Sequence, residues 1–308
     1  MNYSISLADY IVEWMDTYKR TTVKQSTFDR LETSVAALEG YSIASMSIGE
    51  ITSTHIQKYV NELTEQGYAL TTIKKQMRIV TAPLKQAAAL HLIPTNPAVG
   101  IVLPSRCNVR KESKAVEAYT PEEQAALMAI LQTHGRKAYD VIALILETGL
   151  RAGEALALRW KDVHIEQKRL YVRSTVVRLA NKKQSFVQDS AKSESSRRTI
   201  PLTPKALEIL KRLFDVRKSE WAFDDGSGEH LSYEALRWGT RKACEAAGVE
   251  YRGEHVFRHT FATNCYHKGI DVKILSKLLG HADVNITYNI YVHLYGDGFE
   301  ELYSALVD

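Results

Sequence analysis

Five short stretches in the second half of the chain concentrate arginine, lysine, histidine and tyrosine side chains that could do chemistry together. They are ETGLRAGEALAL (147–158), AKSESSRRTIPL (191–202), EHVFRHTFAT (254–263), LLGHAD (278–283) and TYNIYVH (287–293). Two arginines, Arg151 and Arg258, could hold a phosphate by paired charged hydrogen bonds and neutralise charge that develops in a transition state. A lysine and several histidines could transfer protons to and from oxygen atoms.

A tyrosine could supply the nucleophile for such a site. Three tyrosines follow His281, at Tyr288, Tyr291 and Tyr295. They are separated from one another by three and four residues, which predicts one shared face of a helix. A tyrosine hydroxyl has a pKa of about 10, so it attacks poorly at neutral pH unless neighbouring groups assist it. The same spacing is typical of aromatic packing, and by itself it leaves both interpretations open.

Taken singly, these side chains also have ordinary interpretations. Arg151 at a helix start is typical of a surface charge, and Lys192 in a polar turn of a solvated one. His255 and His259 are four residues apart, as in a metal-binding pair, but the surrounding sequence is not HExxH. The arginines would provide the electrostatic stabilisation that a metal could otherwise supply. We therefore predict no metal site and no cofactor.

Length and composition exclude several other classes of protein. The 308 residues are 45% hydrophobic and 25% charged, which is typical of a globular protein long enough for two domains. The net charge of +4 neither requires nor excludes a nucleic acid. Three cysteines without a CxxC pair predict a reducing compartment. Neither a secretory signal nor an apolar run of about 18 residues is present, so we predict a soluble, cytoplasmic protein without a membrane partner.

The apolar spacing predicts a helical first domain over residues 1–104. Its predicted helices contain Leu7 to Tyr18, Phe28 to Leu38, Thr54 to Gln66 and a segment that begins near Thr71. The polar stretch 105–118 predicts a linker. The first domain therefore predicts an all-helical fold.

The second predicted domain covers residues 119–308. Thr120, Pro121 and Glu123 have the pattern of a capped helix start with a capping box. Further helices are predicted to about Asp162, among them an amphipathic helix opened by Arg151. RLYVRSTVVRL and RRTIPL are rich in β-branched residues and predict a small antiparallel sheet, after which helices resume at Thr203 and Ser232. The predicted fold class is mainly α, with an all-helical N-terminal domain and an α+β second domain.

The order and wording of the five stretches resemble the tyrosine recombinase, or phage integrase, family. The matching motifs look like TGLRxGE, PKTxxSxRxIPL, HxLRHTFAT, LLGHxxxxxT and IYxH. The resemblance covers the whole chain, and it implies a SAM-like core-binding domain before the linker and a catalytic domain after it. The ten residues from His281 to Tyr291 resemble integrases of phages or conjugative transposons. Many of those carry an additional arm-binding domain, which is not visible in this sequence.

The resemblance implies a role for each matching residue. It makes Arg151 and Arg258 the phosphate-binding arginines, and Tyr291 the nucleophile. Lys192 would protonate the leaving 5′ hydroxyl, and His255 would act as acid and base. The full predicted catalytic set is Arg151, Lys192, His255, Arg258, His281 and Tyr291. In that set His281 would hydrogen-bond the phosphate, while Glu154 would be structural and His259 supporting.

The sequence departs from the family pattern at two points. Ala191 and Glu194 stand where a proline and a basic residue are common. Lys182 and Lys183 in the preceding turn therefore remain alternatives to Lys192 as the catalytic lysine. Tyr288 stands where an aliphatic residue is common, and it places a second hydroxyl near Tyr291.

The implied activity is site-specific DNA recombination by a mobile element, through a 3′-phosphotyrosyl intermediate and a Holliday junction, without ATP or metal. The implied partners are double-stranded attachment sites, three further copies of the chain in a tetramer, and an accessory directionality factor. The implied location is the bacterial nucleoid. Alternatives are an Xer-like resolvase, a type IB topoisomerase-like strand transferase, a catalytically silent DNA-binding regulator and a metal hydrolase using His255 and His259.

Two further predictions concern contacts outside the catalytic set. Basic side chains could contact DNA phosphates, although each could equally be a solvated charge. They are Lys74, Lys75, Arg78, Arg106, Arg110 and Arg197. The tail at 294–308 has Phe299, Leu302 and Leu306 at helical spacing, so it could dock on a neighbouring subunit or pack on its own domain.

Overall fold

The structure is a computed structural model that describes residues 4–105, 117–134, 136–178, 185–189 and 197–288. The chain divides into two compact units, one with the described residues up to 105 and one with those from 117 onward. Several residues singled out in the sequence lie outside the described residues. They are Arg106, Arg110, Lys182, Lys183, Lys192, Tyr291, Tyr295 and the tail at 294–308.

The first unit is built from helices whose apolar faces form one core. They are α1 (Leu7–Tyr18), α2 (Gln25–Leu38), α3 (Ser53–Glu65) and α4 (Leu70–Ala89), with a 3-10 helix at Ser42–Ser45. The Ser6 hydroxyl accepts from the backbone N–H of Asp9 and so caps α1, as serine does at many helix starts. Leu7, Ile11 and Leu38 are fully buried. The prediction of helices throughout this region is confirmed.

The second unit combines helices with short strands. The helices are α5 (Pro121–His134), α6 (Arg136–Thr148), α7 (Ala152–Leu156), α8 (Pro204–Asp215), α9 (Tyr233–Ala247), α10 (His255–His267) and α11 (Val272–Leu279). The strands are β1 (Val163–His164), β2 (Arg169–Val172), β3 (Ser174–Arg178), β4 (Ser185–Asp189) and β5 (Arg198–Pro201), preceded by a 3-10 helix at Trp160–Asp162. Residues 284–288 are helical again. The predicted fold class is therefore confirmed.

The strands form two small antiparallel sheets rather than one. β1, β2 and β5 make a three-stranded sheet, with Leu170 opposite both Val163 and Ile200. β3 and β4 make a separate two-stranded sheet, in which Val176 pairs with Val187. The single run predicted over RLYVRSTVVRL is thus divided at Arg173, and its two halves have different partners.

The predicted capping box at the start of α5 is present. The Thr120 hydroxyl accepts from the backbone N–H of Glu123 at 3.2 Å, and the Glu123 carboxylate accepts from the backbone N–H of Thr120 at 2.9 Å. The same carboxylate also pairs with Arg252. None of the described helices is long and apolar enough to span a membrane.

The helix that Arg151 opens differs from the sequence prediction. α7 has five residues and all of them are buried, so it is not amphipathic. Its small residues allow close packing against β3: a Cβ on Gly153 would lie 2.6 Å from both the Thr175 hydroxyl and the Val176 carbonyl oxygen. The prediction was wrong because Glu154, the one charged residue of this helix, lies in the interior.

Candidate active site

A tight turn at the end of α6 places Arg151 at the start of α7. Gly149 has φ +67°, a conformation that glycine adopts without the steric cost of a side chain. A Cβ at this position would lie 2.5 Å from the Phe261 ring and 2.8 Å from the Leu279 side chain. The turn therefore requires glycine both for its backbone conformation and for its close contacts.

Arg258 lies on the inner face of α10 and is 3% exposed. Its guanidinium donates to the carbonyl oxygen of Gly149 at 2.9 Å and to that of Leu279 at 2.6 Å. Burial, followed by the positive charge of Arg151, lowers the pKa of this guanidinium to about 9. The side chain therefore remains charged at neutral pH.

The C-terminal end of α11 holds three arginines through three consecutive carbonyl oxygens. Leu278 accepts from Arg198 at 2.7 Å, Leu279 from Arg258 at 2.6 Å and Gly280 from Arg151 at 3.1 Å. The last carbonyls of a helix have no partner within the helix, and they carry the negative end of its dipole. This helix end is consequently a site at which cationic side chains gather.

Glu154 is the one acidic side chain that pairs with these arginines among the described residues. It accepts the Arg151 backbone N–H and one N–H from the Arg151 side chain, both at 2.8 Å. Arg198 donates to its two oxygens at 3.0 and 2.7 Å. Burial alone would raise the pKa of this carboxyl, but hydrogen bonding and charge from Arg198, together with Arg151, lower it to about 2.

Two histidines border the arginines. Burial and then the charges of Arg258 and Arg151 lower the pKa of His255. The same causes in the same order lower the pKa of His281 to about 4. Nδ1 of His281 lies 2.7 Å from the hydroxyl of Thr287, which is fully buried. Both imidazoles are therefore neutral at pH 7 and able to accept a proton or a hydrogen bond.

The site has an excess of positive charge that favours an anion. Arg151, Arg198 and Arg258 carry three positive charges, and Glu154 supplies one negative charge. Arg151 and Arg258 each donate two side-chain N–H bonds within the protein, so three of the five on each have no partner among the described residues. These groups could bind the non-bridging oxygens of a phosphodiester.

Four of the six predicted catalytic residues are brought together: Arg151, His255, Arg258 and His281. Lys192 and Tyr291 lie outside the described residues. Glu154, for which a structural role was predicted, is hydrogen-bonded to Arg151 and Arg198. Within the described ranges, no group of three or more acidic, histidine or cysteine side chains could hold a metal ion.

The predicted DNA contacts are exposed wherever the structure describes them. Lys74, Lys75 and Arg78 lie on α4, and Arg197 immediately precedes β5. Sequence reasoning missed Arg198, the neighbour of Arg197. The available signal was strand alternation, which places Arg198 on the same face as the buried Ile200.

Comparison with known proteins defines the class. Residues 117–297 match the phage integrase family, and residues 6–101 match the phage integrase SAM-like domain. A tyrosine recombinase XerC-like protein of Caldanaerobacter subterraneus subsp. tengcongensis is 30% identical over 94% of this chain and 80% of its own length. The chain belongs to the phage integrase family of tyrosine recombinases, as the five motifs predicted.

Solved structures show the same fold. The integrase of transposon Tn1549, in complex with a circular intermediate DNA, matches with a TM-score of 0.81 at 21% identity. The match covers 98% of this chain and 100% of the Tn1549 integrase chain. The lambda integrase tetramer bound to a Holliday junction has a TM-score of 0.71 at 18% identity, covering 93% of this chain and 77% of that one.

Proposed function

We propose that this chain cuts and rejoins DNA at specific sites through a covalent bond to Tyr291. The tyrosine oxygen attacks phosphorus, and the bond from phosphorus to the 5′ oxygen breaks. His255 takes the phenolic proton and Lys192 gives a proton to the leaving 5′ oxygen. A 5′ hydroxyl from a partner duplex then reverses these steps, so the phosphotyrosyl bond preserves the energy for rejoining.

The observation that carries this proposal is the convergence of Arg151 and Arg258 with N–H groups available for an anion. In the transition state the non-bridging oxygens of the phosphate gain charge, and two fixed guanidinium groups would stabilise it. His281 would add a hydrogen bond to the same phosphate. This electrostatic stabilisation needs neither a metal ion nor ATP.

The rest of the molecule would hold the DNA. We assign residues 1–104 to a core-binding domain, 105–118 to a linker and 119–308 to the catalytic domain. Lys74, Lys75, Arg78, Arg106, Arg110 and Arg197 would contact phosphates. The assembly would be a tetramer on two duplexes that forms a Holliday junction, in line with the lambda integrase tetramer bound to a Holliday junction. It would act in the bacterial cytoplasm at the nucleoid, with an accessory factor setting its direction.

An Xer-like resolvase is a second candidate, favoured by the likeness to the XerC-like relative. The fold shared with the Tn1549 integrase and the ten-residue spacing from His281 to Tyr291 favour integration by a mobile element. Recombination between two identical selected sites, but not between unlike sites, would support the resolvase.

Covalent capture of DNA tests the proposed chemistry. A duplex is first selected from a randomised library by binding to the Tyr291→Phe variant. A set of these duplexes, each with a nick moved by one nucleotide, is then incubated with the parent chain in EDTA. We expect a protein–DNA adduct that resists denaturant. Cleavage without an adduct in a parallel reaction that lacks EDTA, and its loss in EDTA, would instead indicate a metal hydrolase.

A further inference from the structure

Arg198 is buried in the site, although the proposed chemistry gives it no direct contact with DNA. Its side chain is 6% exposed, and from β5 it reaches Glu154 of α7 and Leu278 near the end of α11. Two of its hydrogen bonds go to Glu154, which also holds Arg151, and the third goes to a carbonyl next to those that hold Arg258 and Arg151. The three bonds run to the two oxygens of Glu154 and to the carbonyl of Leu278.

The two Glu154 oxygens have no acceptor position left. A carboxylate has about four lone-pair positions. Two accept from Arg198 and two from Arg151, one of these from the Arg151 backbone. Glu154 therefore takes only one N–H from the Arg151 side chain.

We propose that Arg198 is a positioning residue that prevents Glu154 from capturing the Arg151 guanidinium. Without Arg198, a buried carboxylate would face Arg151 as its main cationic partner, with two acceptor positions empty. Arginine pairs with such a carboxylate through two parallel hydrogen bonds. That pairing would turn the Arg151 N–H groups and charge away from the phosphate.

Arg198 also fixes the helix end that holds the other two arginines. Its bond to the carbonyl of Leu278 precedes, by one and two residues, the carbonyls that accept from Arg258 and Arg151. β5 is thereby tied to both α7 and α11. One side chain thus controls the direction of two phosphate-binding groups, and this inference rests on the catalytic roles proposed above.

Single-turnover capture on the selected nicked duplex tests this role, with protein in saturating excess over DNA. Under that condition all of the DNA is bound, so the rate constant does not depend on the folded fraction as long as folded protein remains in saturating excess. We expect Arg198→Met to lower the rate constant about 10–100-fold, the loss found when residues that hydrogen-bond and orient metal-ligating side chains are replaced. The dissociation constant for the duplex should change less than about 3-fold, because the contacts with the rest of the DNA are intact.

Two further variants separate charge competition from packing. The double variant Glu154→Gln with Arg198→Met removes the competing carboxylate, so we expect it to recover most of the lost rate. Arg198→Lys keeps one charge without the planar fork, and an intermediate rate constant is expected. Arg212→Met is the matched control, because it breaks another ion pair to a buried carboxylate, Asp140, in the same unit. It should lower thermal stability and leave the rate constant unchanged.

An Arg198→Met rate constant equal to that of the parent would overturn the proposal, whatever its thermal stability. So would a double variant as slow as Arg198→Met alone. If neither the parent nor Arg212→Met formed an adduct on DNA that they bind, the proposed function itself would have failed.

Discussion

The depressed pKa of His281 gives this single residue a defined influence on stability. An unfolded histidine has a pKa of about 6.5, and the folded value is about 4 because of burial and the charges of Arg258 and Arg151. The unfolded chain therefore binds a proton more readily between these values. Stability due to neutral His281 is fully present above pH 6.5 and is lost as the pH falls towards 4.

We expect His281→Gln to remove this part of the acid sensitivity. Between pH 7 and pH 4 the free energy of unfolding should fall by about 1–2 kcal/mol less in the variant than in the parent, a figure reduced for the partial exposure of the ring. Denaturant unfolding at several pH values measures the difference. His267→Gln, at an exposed histidine in the last turn of α10, should keep the parent's dependence. If the free energy of unfolding fell equally with pH in the parent and in His281→Gln, the assigned pKa would be contradicted.

Single residues also show where sequence reasoning stops. Arg151, His255, Arg258 and His281 were predicted because each belongs to a short motif. Arg198 also lies in one of these motifs and alternates with the buried Ile200, but the sequence did not identify its partner Glu154, which is 44 residues away. That pairing exists only after β5 packs beside α7.

At the scale of elements, the turn between α6 and α7 determines where the first arginine lies. Gly149 provides both the left-handed turn and a carbonyl that accepts from Arg258. Phe261 of α10 and Leu279 of α11 close over the place that a Cβ would occupy. Three elements therefore meet at one glycine.

We expect Gly149→Ala to lower the free energy of unfolding by about 3 kcal/mol or more, since left-handed strain and overpacking both contribute. Gly248→Ala is the control, because Gly248 has the same φ of +67° with no atom within 4 Å of a Cβ. It should cost only about 1 kcal/mol, from backbone strain alone. Chemical denaturation of both variants measures the costs, and equal costs would contradict the close packing.

The elements were predictable to different degrees. Helical spacing from Leu7 to Tyr18 and the capping box at Thr120 depend on neighbours in the sequence, and both predictions are confirmed. The burial of α7 was not predictable, because a short helix around Glu154 resembles a surface helix until β3 and β5 cover it. The division into two sheets depends on long-range pairing and was missed for the same reason.

For the whole molecule, basic side chains on α4 should contribute to DNA affinity through the release of counterions. The logarithm of the binding constant falls with the logarithm of salt concentration, by about 0.9 for each phosphate contacted. We expect replacement of Lys74, Lys75 and Arg78 by glutamine to reduce that slope by about 2–3. Titrations of the selected duplex at several salt concentrations measure it.

A variant with glutamine at three other exposed lysines, Lys58, Lys205 and Lys211, keeps the same net charge as the triple variant on α4. Its slope should remain close to that of the parent. Equal reductions in the two variants would show that net charge alone, rather than a contact surface on α4, controls binding.

The identity of the nucleophile tests the central claim most directly. In the capture experiment with EDTA, parent, Tyr291→Phe and Tyr288→Phe are compared on the same nicked duplexes. Tyr288 is a close control, because it is three residues away and 55% exposed. We expect an adduct with the parent and with Tyr288→Phe, and none with Tyr291→Phe although it binds the DNA. An adduct with Tyr291→Phe would contradict the assignment. If the adduct were instead lost in Tyr288→Phe, Tyr288 would be the nucleophile.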